Sequence, residues 1–147
     1  MKTVKKSVLV GYTPQEMYQL VTDVAQYPQF LPWCSQVRIL STEELGMTAE
    51  IGIAFGGIRQ SFVTRNTHVP GSQVRLQLVR GPFSQLHGLW DFLPIGEPGQ
   101  RACQIQLSLN YNFDNFVLSK LIGPVFEKIS NSLVDAFVKR AEQVYGR

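Results

Sequence analysis

From Phe116 to Tyr145 the apolar residues Leu118, Leu121, Ile122, Val125, Phe126, Ile129, Leu133, Phe137, Ala141 and Val144 fall at three- and four-residue steps, the pattern of a helix with one apolar stripe. Such a helix spans roughly 45 Å at 1.5 Å per residue, longer than a small domain needs for packing alone. It has to lie on something broad and apolar. Gly123-Pro124 interrupts the stripe, and because Pro124 cannot donate to the carbonyl of Lys120, a kink or a short separate turn is expected there.

The broad partner is written between Ser35 and Phe113. Turn signals recur there at Glu44-Leu45-Gly46, Gly56-Gly57, Pro70-Gly71-Ser72, Gly81-Pro82 and Gly96-Glu97-Pro98-Gly99, leaving room for six strands. Met47, Ala49, Ile51, Ile53 and Phe55 alternate with smaller or polar residues. Val74, Leu76 and Leu78 do the same, as do Ile105, Leu107, Leu109, Tyr111 and Phe113. Strands with one wet face belong to an antiparallel sheet that needs a cover on its other face. Upstream, Lys2 to Val10 reads as a first strand. Thr13, Pro14 and Glu16 then form a helix start with a capping box, and this helix runs to about Thr22. A second helical turn around Asp23 to Gln26 leads into Tyr27 to Cys34, which Pro28 and Pro32 make a stiff aromatic loop. The order predicts an α+β fold over residues 1–147 as a single domain: a curved antiparallel sheet of about seven strands wrapped on the long C-terminal helix, with two short helices after the first strand. A curved sheet and a straight helix leave a gap, where an apolar pocket forms.

Composition agrees. Hydrophobic residues make up 44% and charged residues only 17%, so the chain has apolar surface to spare. Cys34 and Cys103 match no metal or disulfide pattern and read as reduced thiols of a cytoplasmic protein. Lys2, Lys5 and Lys6 before Val8-Leu9-Val10 imitate an export signal, but the apolar run is too short. The net charge of +3 decides nothing by itself.

Several phrases resemble the START-like, helix-grip superfamily (polyketide cyclase/dehydrase-like, SRPBCC), in its coenzyme Q-binding branch, whose bacterial members include the ribosome-association toxins. They are Tyr27-Pro28-Gln29-Phe30-Leu31-Pro32-Trp33-Cys34, Phe62-Val63-Thr64-Arg65-Asn66, Gly81-Pro82-Phe83 with Leu86, Gly88, Trp90 and Phe92, and the segment from Phe126 to Tyr145. The resemblance implies one of two jobs, and with the surplus apolar surface, the over-long helix and the stiff aromatic loop the first is the one expected here and the second the alternative. The first is non-enzymatic binding of a polyprenyl quinone, ubiquinone, in support of respiration, with transient membrane contact to exchange it. The second is docking on the large ribosomal subunit to block 70S assembly.

Residues expected at the ligand site are Tyr27, Phe30, Pro32 and Trp33 in the aromatic loop, Phe62, Thr64 and Asn66, Trp90 and Phe92, and Phe126 and Leu133 on the helix. Phe30 and Trp33 would gate the cavity or plug the core end. Thr64 and Asn66 would place polar groups inside, to meet a quinone's oxygens or to be satisfied by water. On the opposite strand phase, Arg59, Arg65 and Arg75 would form an outward basic patch able to touch RNA. His68, His87, Asp91 and Cys34 sit in no nucleophile or metal motif, so no catalytic residue and no metal are expected. No covalent cofactor is expected either.

Overall fold

The computed structural model describes residues 1–146. Strand β1 (Lys2–Val10) forms one edge of a seven-stranded sheet. The chain then crosses to the other edge through α1 (Pro14–Thr22), a 3-10 turn (Val24–Gln26) and α2 (Tyr27–Phe30). It returns as an antiparallel meander: β2 (Cys34–Glu43), β3 (Gly46–Phe55), β4 (Ile58–Val69), β5 (Gln73–Arg80), β6 (Phe83–Pro94) and β7 (Cys103–Phe113). Strand β7 closes against β1, giving the order β1-β7-β6-β5-β4-β3-β2. The long helix α3 (Phe116–Tyr145) then lies along the concave face, against β7, β1, β4 and α1. This is the START-like helix-grip arrangement.

Local chemistry explains the turns. Phe55 pairs with Ile58 across a two-residue loop, and Gly56 and Gly57 take φ of 59° and 81°, the pair of positive values a type I′ hairpin demands. The capping box at α1 forms in full. Thr13 Oγ1 accepts from the Glu16 N–H at 3.0 Å, and Glu16 Oε1 accepts from the Thr13 N–H at 2.9 Å. Tyr145 O–H donates to the Glu16 carbonyl at 2.9 Å, fastening the end of α3 to α1.

Two local expectations change. Tyr27–Phe30 is a helical turn and not loop, because Pro28 occupies the first turn, where a missing N–H costs nothing, and the Leu31 N–H closes on the Tyr27 carbonyl at 2.9 Å. Helix α3 runs continuously through Pro124, so of the two forms expected there the separate turn does not occur. Proline is tolerated there because Lys120, Leu121 and Pro124 are exposed, so water can take up the carbonyl that loses its donor. Leu121 and Val144 turn away from the packed face and are exposed, although Leu118 and Tyr145 nearer the two ends are packed.

Glu16 carries a second load. Its carboxylate accepts from Arg101 Nε and Nη2 at 2.9 and 2.8 Å, clamping α1 to the β6–β7 loop. The Arg101 guanidinium, assisted by the Thr13 N–H, holds the Glu16 carboxyl down at about 2 against an ordinary 4.5. A depressed carboxyl contributes stability above its unfolded value and loses it as pH falls, here from about 4.5 towards 2. Glu16→Gln is therefore expected to give a small loss of stability near neutrality that vanishes by pH 2, read from denaturation midpoints across that range. Water screening keeps the effect small.

Candidate functional site

Inward-facing residues fall into two apolar clusters. One is built on Phe83, Tyr111, Phe113 and Phe126, the other on Met17, Trp90, Phe92 and Phe137. Between them the concave sheet and α3 enclose a cavity. Strand β4 lines it with Phe62, Thr64 and Asn66, β3 with Ile51, β5 with Leu76, β6 with Leu86 and Trp90, and β7 with Leu109. Helix α3 contributes Phe126, Ile129, Ser130, Leu133 and Phe137, and the crossing segment adds Val24, Tyr27 and Trp33. The enclosed volume is about 90 Å3. Ligand pockets run from roughly 300 Å3 upwards, so the cavity must expand to admit a ring with a tail.

A groove of about 960 Å3 runs outside it, between α3 and the Gln29–Trp33 segment, with Phe55 at one end. Trp33 and Ile129 line both spaces and form the wall that separates them. Trp33 is 8% exposed, so it is at once a core residue and the partition.

Polar groups in the cavity are few. Thr64 and Asn66 are both buried, and the Thr64 hydroxyl donates to Asn66 Oδ1 at 2.9 Å. That bond commits the amide oxygen and leaves the amide N–H2 as a donor towards the cavity. Ser130 is already used, donating to the Phe126 carbonyl at 2.8 Å. Tyr27 donates to the Val21 carbonyl, and burial, helped by Cys34 and Asp23, pushes its phenol far above the usual range. Burial also pushes the Cys34 and Cys103 thiols up to about 11. His68 packs edge-on to Tyr18, outside the cavity, with burial lowering its basicity and Nε2 unpartnered. No group of three or more potential metal ligands occurs among the described residues.

The expected ligand residues divide three ways. Tyr27, Trp33, Phe62, Thr64, Asn66, Trp90, Phe126 and Leu133 meet around the cavity. Phe30 and Pro32 face the outer groove instead, since the helical turn at 27–30 points Tyr27 inwards and rotates Phe30 towards α3. Phe92 does neither. It shares the inward face with Trp90, but two residues further along its ring lies flat beside Trp90 at 6.1 Å and under Tyr18 of α1, which seals that end of the sheet. Ile129 and Phe137 were legible as stripe residues, but nothing in their spacing marked them as cavity walls.

The arginines do not form one patch. Arg65 and Arg75 lie on neighbouring outward positions of β4 and β5, where Thr67 pairs with Arg75 and Arg65 with Gln77. Arg65 also donates from Nη2 to Glu43 Oε2 at 2.9 Å. Arg59 sits beside the β3–β4 turn, six residues and roughly 20 Å from Arg65 along an extended strand. The sheet supplies other neighbours. Cross-strand pairing aligns Thr3, Asn110, His87, Gln77 and Arg65 in one outward row, and Lys5, Ser108, Leu89, Arg75 and Thr67 in the next. These rows depend on β1 joining β7, which alternation within single strands does not reveal.

Residues 10–138 match the family model described as polyketide cyclase / dehydrase and lipid transport. The chain belongs to this family. Among its relatives is the ribosome association toxin RatA of Pseudomonas aeruginosa, 41% identical over 97% of both chains. Another is the mitochondrial coenzyme Q-binding protein COQ10 homolog B of Xenopus laevis, 29% identical over 97% of this chain and 59% of that one. The ZhuI aromatase/cyclase of Streptomyces sp. R1128 superposes with a TM-score of 0.84 over 97% of this chain and 94% of its own, at 15% identity, a likeness of fold.

Proposed function

We propose that the protein associates with the ribosome through the convex face of its sheet, without chemistry of its own, and that docking on the large subunit opposes 70S assembly. The observation that carries this reading is the pair of outward rows, in which Lys5, Arg65 and Arg75 stand among hydroxyls, amides, His87 and Leu89, with Glu43, paired to Arg65, the carboxylate at their edge. Such a face suits a phosphate backbone, with cations for charge and neutral donors for orientation. The RatA relative, similar over nearly its whole length, supports the same partner. The absence of catalysis is supported by the cavity, whose hydroxyls on Tyr27 and Ser130 are already committed.

Co-sedimentation with large subunits tests it. With about three phosphate contacts, affinity should fall on the order of 20- to 40-fold between 50 and 200 mM salt. Neutralising Lys5, Arg65 and Arg75 together should weaken binding at low salt and flatten that dependence, whereas Arg59→Ala should leave it unchanged. No sedimentation at low salt would remove this reading.

A second reading is favoured by Thr64 and Asn66. Two buried polar side chains facing an otherwise apolar cavity suit a ligand with an apolar body and a few acceptor oxygens, and ubiquinone is such a molecule. The two readings use opposite faces of one sheet and do not compete for residues.

A further inference from the structure

We propose that the end of the molecule where α3 begins docks on an anionic phospholipid surface. Phe116, Val117 and Leu121 are 73%, 63% and 57% exposed in the first two turns of α3; Val117 and Leu121 share a face as an i, i+4 pair, and Phe116 stands beside it on the first turn. The neighbouring turns belong to the same end. The Asp114 N–H donates to the Pro82 carbonyl at 3.1 Å, so the β5–β6 turn flanks the helix start, and a Cβ at Gly56 would lie 3.8 Å from Val125, so the β3–β4 turn lies beside the third turn of α3. Phe55, 39% exposed, continues the apolar surface into the groove that Trp33 and Ile129 part from the cavity.

Lys120 and the two turns supply cations at this end. Arg59 and Arg80 border the two turns, and the Lys120 ammonium lies 5.2 Å over the Phe116 ring. None of the three is in a salt bridge among the described residues, where the only acid at the α3 start is Asp114. Exposed rings beside unpaired cations complement a bilayer interface, which takes the rings among its acyl chains and the cations against its phosphates. An RNA backbone would leave the apolar face uncovered. Docking here stands independently of the ribosomal reading, and it would set the groove at the membrane for any lipid entering the cavity.

Flotation with vesicles decides it. The protein should float with vesicles of phosphatidylcholine and phosphatidylglycerol and much less with phosphatidylcholine alone. Phe116→Ser combined with Leu121→Ser should cut partition about tenfold, with an unchanged denaturation midpoint because both side chains are exposed. Wild-type protein that stays at the bottom of the gradient, or a double variant that floats as well as wild type, overturns the proposal. Loss of ribosome co-sedimentation in the double variant, with no flotation of wild type, would assign the same face to a ribosomal protein and overturn it equally.

Discussion

Phe137→Ala is expected to cost about 3–5 kcal/mol of folding stability. The ring is 1% exposed and meets Tyr27, Phe30 and Trp90 at centroid distances of 5.4, 5.2 and 5.3 Å, so α3, the crossing segment and the sheet converge on it. Truncation removes these tilted aromatic contacts and enlarges the adjoining cavity, and both effects act in the same direction. For a chain of this size the melting temperature should drop by on the order of 10 °C or more. Phe126 is the companion case. Its ring packs 4.7 Å from Tyr111 and 5.0 Å from Phe83 and also borders the cavity, so its replacement should approach the same cost. Leu121→Ala, at an exposed position of the same stripe, should change stability by less than about 0.5 kcal/mol. Urea denaturation of the three variants separates them. Equal midpoints for Phe137→Ala and Leu121→Ala would contradict the seating of α3.

The architecture was readable in the sequence because it rests on patterns that act over a few residues. Periodicity in α3, one-sided alternation in β3, β5 and β7, and the capping box at Thr13 and Glu16 each report a local physical constraint. What escaped depends on distance. Alternation says that Trp90 and Phe92 face inwards, but only the placement of α1 across one end decides that Trp90 meets the cavity and Phe92 meets Tyr18. The outward arginines likewise share a phase, yet their separation depends on position along β4, and their true neighbours arrive from β7 and β1. Cavity size is the least legible quantity of all. It is the small residue left when large side chains interdigitate, and here that residue is about 90 Å3.

The small size of the cavity makes the role of Thr64 and Asn66 decidable. If the pair serves packing alone, removing it should act on stability. If it serves a ligand, it should act on binding. Asn66→Leu by itself strands the Thr64 hydroxyl, which blurs the distinction, whereas Thr64→Val with Asn66→Leu removes donor and acceptor together. Replacing both partners of a buried hydrogen bond by apolar groups of similar shape is close to neutral for folding. The empty double variant should therefore unfold within about 1 kcal/mol of wild type. Ubiquinone binding, in contrast, loses the amide donor for a ring carbonyl, and the lost bond in a dry site corresponds to roughly a 5- to 150-fold weakening. Trp33 and Trp90 both border the cavity, so a bound quinone should quench their emission saturably, with long-tailed forms binding more tightly than short ones as each added methylene leaves water. Mass spectrometry of lipid extracted from the purified protein supplies the independent check. Undiminished quenching in the double variant would return the pair to a structural role, and absence of both saturable quenching and extractable lipid would leave the cavity as packing space.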